Sequence, residues 1–214
     1  MSEGAGKSLS AATDPTVVAA RVALAREARA LVDALATADL TLETAKQLEA
    51  AVKQARLLAE QAPSIPGYVR RIEGALRGIG PYSELGPFTG DLHIVSPALE
   101  LWEEDGRVKA RAAYGPSCEG APGIVHGGYL AATLDELLAY VQRGNLRMTV
   151  ALNIAYRAPA RLHRDLLYTV WIERIEGRKA FVAGTVHQGD LLCAEAHGVF
   201  VETKAGMLAR EHFE

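Results

Sequence analysis

Residues 120–141, GAPGIVHGGYLAATLDELLAYV, decide how this chain is read. A Pro/Gly-rich turn delivers one histidine and two glycines to the start of a strongly apolar helical run. From Gly128 to Val141 the only charged residues are Asp135 and Glu136, side by side. A helix that is apolar nearly all round is a buried helix, and burying a carboxylate is costly unless something requires it. If the helix begins near Gly128, Asp135 falls about two turns further on, on the same face as the glycine end. Free backbone N–H donors at a positive helix end then share a side with a carboxylate. That arrangement suits holding an oxyanion while a nucleophile is activated.

Working outward, residues 77–97 are rich in Gly and Pro and form a boundary. Beyond it the periodicity turns towards strands, at Leu99–Glu103 and Arg107–Tyr114, with Glu104-Asp105-Gly106 as a hairpin turn between them. A helix over residues 127–142 follows. Strands are then expected at Arg147–Tyr156, Leu166–Ile175, Lys179–His187 and Leu191–Glu202, with turns at Gly177 and at Gln188-Gly189-Asp190. The order implies an α+β domain in which one long helix is wrapped by a curved antiparallel sheet.

Ahead of the boundary the chain reads as helical. Residues 1–12 are small and polar and are expected to be disordered. Asp14-Pro15 then supplies an N-cap and a first-turn proline. Val17, Leu24 and Leu31 fall seven apart, with Val18, Val22, Ala25, Val32 and Leu35 widening the stripe. Thr41 can cap a second helix running to about Ala62, with Leu48, Val52, Ala55 and Ala59 on one side and Pro63 and Pro66 ending it. The two are expected to form a helical hairpin packed on the body or on a neighbouring subunit, and a third short helix is expected over Tyr68–Leu76. The organisation is thus a helical extension over 1–76, a linker over 77–97, the main domain over 98–204 and a tail over 205–214.

Composition narrows the function classes. The formal net charge is −3, which calls for neither nucleic acid nor an anionic membrane as partner. Residues 1–75 carry nine Lys or Arg and nine Asp or Glu, a balance that argues against a DNA-binding helical module. The longest apolar stretch is broken by Asp135 and Glu136, so no membrane span is expected. The N-terminus lacks a basic-then-apolar signal pattern, and two cysteines, Cys118 and Cys193, are too few for a disulfide framework. A cytoplasmic setting follows from those features.

The segment Glu119-Gly120-x-Pro122-Gly123-x-x-His126-Gly127-Gly128, followed by Asp135, resembles the PaaI-like group of hotdog-fold acyl-CoA thioesterases. The resemblance continues through Met148–Pro159, and returns at Glu176–Lys179 and at Ala194-Glu195-Ala196. It covers roughly residues 80–204 and leaves the first third aside. It implies a hotdog fold, hydrolysis of an acyl-CoA thioester without cofactor or metal, and a homodimer with sheets joined, or a homotetramer. It places the catalytic acid at Asp135, as general base or nucleophile, and polarises the thioester carbonyl with the Gly128 N–H. Thr149 orients the attacking water or the carboxylate, in many such enzymes across the subunit interface, while His126 has a supporting role. Many relatives carry Asn or Gln six positions before the motif histidine, where this chain has Gly120.

Physical chemistry supports the same residues. A carboxylate in an apolar helix gains basicity by desolvation, and the missing side chains of Gly127 and Gly128 let a carbonyl oxygen reach backbone amides. Glu136 is turned about a quarter revolution away and is expected to be structural. Arg157, Arg161, Arg164, Arg178 and Lys179 gather near strand ends. Of these, Arg157 and Arg178 lie in matching blocks and are candidates for the phosphates of coenzyme A, which guanidinium groups suit. Cys118 has only sequence proximity to His126 in favour of a thiol nucleophile. No Gly-x-Ser-x-Gly elbow, metal-ligand spacing or phosphate loop is present. The rival reading is a non-catalytic acyl-CoA sensor or protein-interaction module on the same fold. A hotdog hydratase would need a different Asp/His pair, which the chain lacks.

Overall fold

A computed structural model describes residues 15–62, 86–95, 97–142 and 147–202. The expected disorder at 1–12, the short helix at Tyr68–Leu76 and the tail at 205–214 lie outside them. The body is a six-stranded sheet, in the order β1-β2-β4-β5-β6-β3, with every neighbouring pair antiparallel. The strands are β1 (Glu100–Glu104), β2 (Arg107–Ala112), β3 (Arg147–Tyr156), β4 (Leu166–Glu176), β5 (Lys179–Gln188) and β6 (Leu191–Glu202). Asp105 and Gly106 both have positive φ, 51° and 71°, as a two-residue hairpin between right-twisted strands requires.

The central helix, Gly127–Tyr140, lies across this sheet and is the helix of the hotdog fold. Its Leu130, Thr133, Leu134, Leu137 and Leu138 are buried against Tyr168, Val170, Val182, Ala196 and Phe200. Helix and sheet approach closely because β5 and β6 carry Gly184 and Gly198 where they meet it. A Cβ on Gly184 would stand 2.7 Å from Val170 Cγ1 and 3.3 Å from Leu134 Cδ2. The rest of the helix, including Ala131, Ala132, Asp135 and Ala139, is only half-buried. In a single chain the helix is therefore covered on its sheet side, and not all round as its composition implies. Strand β3, which follows it, is an edge of the sheet, with Met148, Val150 and Tyr156 exposed.

The N-terminal part holds α1 (Pro15–Thr37) and α2 (Leu42–Glu60); the central helix is then α3. Thr41 caps α2, its hydroxyl accepting the Thr44 N–H at 3.2 Å. The expected hairpin does not form: α1 and α2 scarcely touch. Nor does α1 dock by its heptad of Val17, Leu24 and Leu31, since Leu24 is 70% exposed. It docks through Ala25, its one buried residue, flanked by two polar clamps. Arg29 donates to the carbonyls of Asp91 and His93, at 3.2 and 2.9 Å, and Asp33 accepts from the N–H and hydroxyl of Ser117, at 3.0 and 2.5 Å. Helix α2 buries no residue. Among the described residues no helix is long and apolar enough to cross a membrane.

Candidate active site

The loop entering α3 is fixed by its own hydrogen bonds. Pro122 and Gly123 occupy the corners of a tight turn in which the Ile124 N–H donates to the Ala121 carbonyl at 2.8 Å and Gly123 has φ +73°. That pairing of Pro then Gly is the type II signature. Glu119 braces the turn, its Oε1 accepting the Gly123 N–H at 2.6 Å. The His126 N–H donates to the Cys118 carbonyl, and the Val125 N–H to that of Ala160, each at 2.8 Å. His126 is thereby held as the N-cap of α3.

The cap alters one expectation. The His126 Nδ1 accepts the Gly128 N–H at 3.0 Å, and the Tyr129 N–H donates to the His126 carbonyl at 2.9 Å. The Gly128 donor expected to be free is therefore engaged, and the neutral ring carries its proton on Nε2. Both glycines answer to neighbours as well as to any ligand. A Cβ on Gly128 would lie 2.9 Å from His126 Nδ1, and one on Gly127 would lie 3.1 Å from the Tyr156 ring. The Tyr156 hydroxyl donates to the Gly127 carbonyl at 2.9 Å, a contact that sequence reasoning missed. Gly120 is likewise needed: a Cβ there would stand 2.9 Å from the His126 Cα. The Asn or Gln donor of many relatives has no room while His126 occupies this place.

Asp135 lies seven residues beyond Gly128, roughly 10 Å along the axis and nearly in line with it. The Thr149 hydroxyl donates to Asp135 Oδ1 at 3.0 Å. Both residues belong to one chain, so the expected reach across a subunit interface is not what this pair shows. A β-bulge makes the contact. Leu152, Ile154 and Tyr156 pair with Gly198, Ala196 and Ala194 on the helix side of β6, and plain alternation would bring Val150 to that side next. The register instead shifts between Thr149 and Ala151, so that Thr149 stands opposite the buried Phe200 and faces α3. Bulges commonly re-aim a side chain beside a functional site.

Glu136 points elsewhere. Its Oε2 accepts from the Phe88 N–H at 3.1 Å and the Thr89 hydroxyl at 2.7 Å, and so ties the segment 86–95 to the helix. Next to that segment Tyr129 packs between the rings of Phe88 and Tyr114, with centroids 6.4 and 6.2 Å away. Beneath it, Tyr114, Thr133 and Tyr168 form a buried hydroxyl network: Tyr114 Oη lies 2.9 Å from Thr133 Oγ1 and 2.6 Å from Tyr168 Oη. Desolvation pushes the Tyr114 hydroxyl up to about 12 and the Tyr168 hydroxyl well above its ordinary value.

The remaining candidates separate. Cys118 is buried, and desolvation raises its thiol above the ordinary value, which disfavours the nucleophilic thiolate. Arg157 forms an ion pair with Glu195, whereas the Arg178 Nη2 donates to the Glu202 carbonyl at 2.6 Å. Those partners are seven residues apart on β6, roughly 23 Å along the strand, so one chain does not bring the two arginines together. Among the described residues no group of three or more His, Cys, Asp or Glu could hold a metal ion.

Comparison with known proteins falls on the same region. Acyl-coenzyme A thioesterase THEM4 of Bos taurus is 34% identical over 90 residues, and acyl-coenzyme A thioesterase THEM5 of Mus musculus 33% identical over 93. Each alignment covers 41% of this chain and 38% or 37% of the relative, so the chain spans under two fifths of the length of these curated relatives. A crystal structure of a thioesterase superfamily protein, 29% identical, superposes with a TM-score of 0.74 over 85% of this chain and 90% of the other. A likeness that wide runs past the hotdog body into the N-terminal part. The thioesterase superfamily matches residues 122–195, from the turn before His126 to the strand beside β3, so the candidate residues His126, Gly127, Gly128, Asp135 and Thr149 all fall inside the stretch similar to that superfamily.

Proposed function

We propose that the chain hydrolyses the thioester of an acyl-coenzyme A to the free acid and CoA, as a member of the PaaI-like branch. The observation that carries this is the Thr149–Asp135 hydrogen bond on the face of α3 that begins at the glycine end. The names of the curated relatives support the same chemistry. Asp135 acts as general base on a water or as nucleophile, and Thr149 orients its carboxylate. The thioester carbonyl oxygen binds at the N-terminus of α3, taking the Gly128 N–H as the His126 ring turns off it, with Gly127 leaving the approach open. Donors fixed where charge develops are the largest single contribution in acyl transfer. Arg157, at the glycine end, and Arg178, at the other, are candidate contacts to CoA phosphates, each exchanging a surface partner for a phosphate oxygen. No cofactor or metal enters the scheme.

The exposed edge β3 supports a homodimer with sheets joined, since an unpaired edge is a template for a second strand. The two free, buried cysteines fit a cytoplasmic setting. The test is a thiol-release screen of acyl-CoA esters from acetyl to palmitoyl, aromatic ones included, on wild type and Asp135→Asn. Hydrolysis that the variant loses is the expected result. Tight binding of an acyl-CoA without turnover would establish the sensor reading instead.

A further inference from the structure

Helix α2 is 19 residues long, buries none of them, and scarcely touches α1. Helices in proteins draw most of their stability from packing an apolar face, and the apolar residues of this one are not scattered. Ala45, Leu48, Val52, Ala55 and Ala59 recur at spacings of three and four, the seam of a coiled coil. Val52 is 47% exposed, and Leu58, beside the seam, 68%. The charges flanking the other side of the seam are Glu49 and Arg56. Both face solvent, and among the described residues Arg56 pairs with Glu60 on its own helix.

We propose that α2 pairs antiparallel with α2 of a second copy of this chain. Two such helices related by a dyad near residues 53 and 54 set Leu48 against Ala59 and Val52 against Ala55 in successive layers. Each layer then has one large and one small side chain, which lets the helices approach to about 8–10 Å. The same register sets Glu49 of each copy across from Arg56 of the other, one attractive pair on either side of the dyad. A self-complementary patch of this kind makes an isologous contact. The contact is separate from the β3 edge, because α2 lies outside residues 122–195 and buries no residue against the described part of the body. Where the two dyads cross at right angles the assembly closes as a tetramer.

Cross-linking of the full chain tests this. In the paired register the two copies of residue 52 are offset by only about 4.5 Å along the axis, whereas two copies of residue 46 are about 22 Å apart. Val52→Cys treated with a short bis-maleimide should therefore give a covalent dimer on a denaturing gel, and Lys46→Cys should not; the native Cys118 and Cys193 are buried. Leu48→Glu with Val52→Glu should lower the mass seen by light scattering while hydrolysis per chain stays within about twofold, because neither residue touches the site. A Val52→Cys protein that gives no covalent dimer, or no more than Lys46→Cys does, overturns the pairing and leaves the thioesterase reading untouched.

Discussion

Asp135→Asn keeps the shape of the side chain and removes its charge, basicity and nucleophilicity. Loss of a general base costs about two to four orders of magnitude in rate, or roughly 3–5 kcal/mol of barrier. Thr149 reaches the same carboxylate, with its Oγ1 3.0 Å from Asp135 Oδ1. A hydrogen bond to a charged group contributes about 1.5–3 kcal/mol. This pair is partly open to water, so Thr149→Val belongs at the low end, roughly a tenfold loss of kcat. The two losses should not add. Thr149 acts through the Asp135 carboxylate, and once Asn stands there the valine has little left to disturb. The double variant is therefore expected within about twofold of Asp135→Asn alone, as coupling in a contacting pair allows. The assay is steady-state thiol release with the best acyl-CoA of the screen, with KM staying near its wild-type value in all three variants. Full additivity, with the double variant a further tenfold down, would falsify the idea that Thr149 works on Asp135.

The same-chain contact makes a second prediction: mixing Asp135→Asn subunits with Thr149→Val subunits should restore nothing after exchange. Recovery to about a quarter of wild-type activity would mean that the two residues meet across a dyad. Tyr114→Phe removes the central hydroxyl of a buried network and leaves those of Thr133 and Tyr168 without it, so it should cost about 2–3 kcal/mol in urea unfolding, more than Tyr168→Phe at the chain's end. Because burial raises Tyr114 to about 12 from 10.0, the unfolded chain ionises first. That contribution to stability is whole below about pH 10 and is lost as pH rises towards 12; urea midpoints that stay flat over this range count against it. Gly120→Asn, which would supply the side-chain donor of many relatives, should lower thermal stability and not raise kcat, since its Cβ would lie 2.9 Å from the His126 Cα. Glu136→Gln should leave kcat within a few-fold and loosen residues 86–95 to protease, and an inactive Glu136→Gln would move the catalytic carboxylate away from Asp135.

What was legible in the sequence is what periodicity and turn chemistry encode. Strands β3 and β6 begin and end where alternation and the Gln188-Gly189-Asp190 turn put them. Asp135 stood out because a carboxylate in an apolar helix is costly. Less legible was anything depending on a single partner. The docking of α1 rests on Ala25 and on two polar clamps, one of them to backbone carbonyls of residues 91 and 93. Such contacts leave no periodic trace, whereas the heptad of Val17, Leu24 and Leu31 does, although Val17 and Leu24 are exposed. The engagement of the Gly128 N–H depends on the side-chain rotamer of His126, which no spacing reports.

The bulge at Val150 is the instructive case. Counting back by twos from Tyr156, the side chain that reaches α3 beside Asp135 should be Val150, and Thr149 should face the opposite side of the sheet. One extra residue in the strand reverses that assignment. It costs a regular step of the β3–β6 ladder, and in return it places a hydroxyl where alternation would put a methyl group. Removing the extra residue, by deleting Val150, would restore the plain register. Residues 151–156 would keep their partners on β6, and Thr149 would stay opposite Phe200, because the residue removed is the one without a partner there. Met148 would likewise stay opposite Val201. The Thr149 hydroxyl would then remain on the helix side and within reach of Asp135, 3.0 Å away in the wild type. The deletion should therefore leave kcat within a few-fold of wild type, because the pairing with Phe200, and not the extra residue as such, aims the hydroxyl. A deletion variant that loses the full tenfold assigned to Thr149→Val would show that the local kink of the bulge, and not the partner on β6, sets the contact.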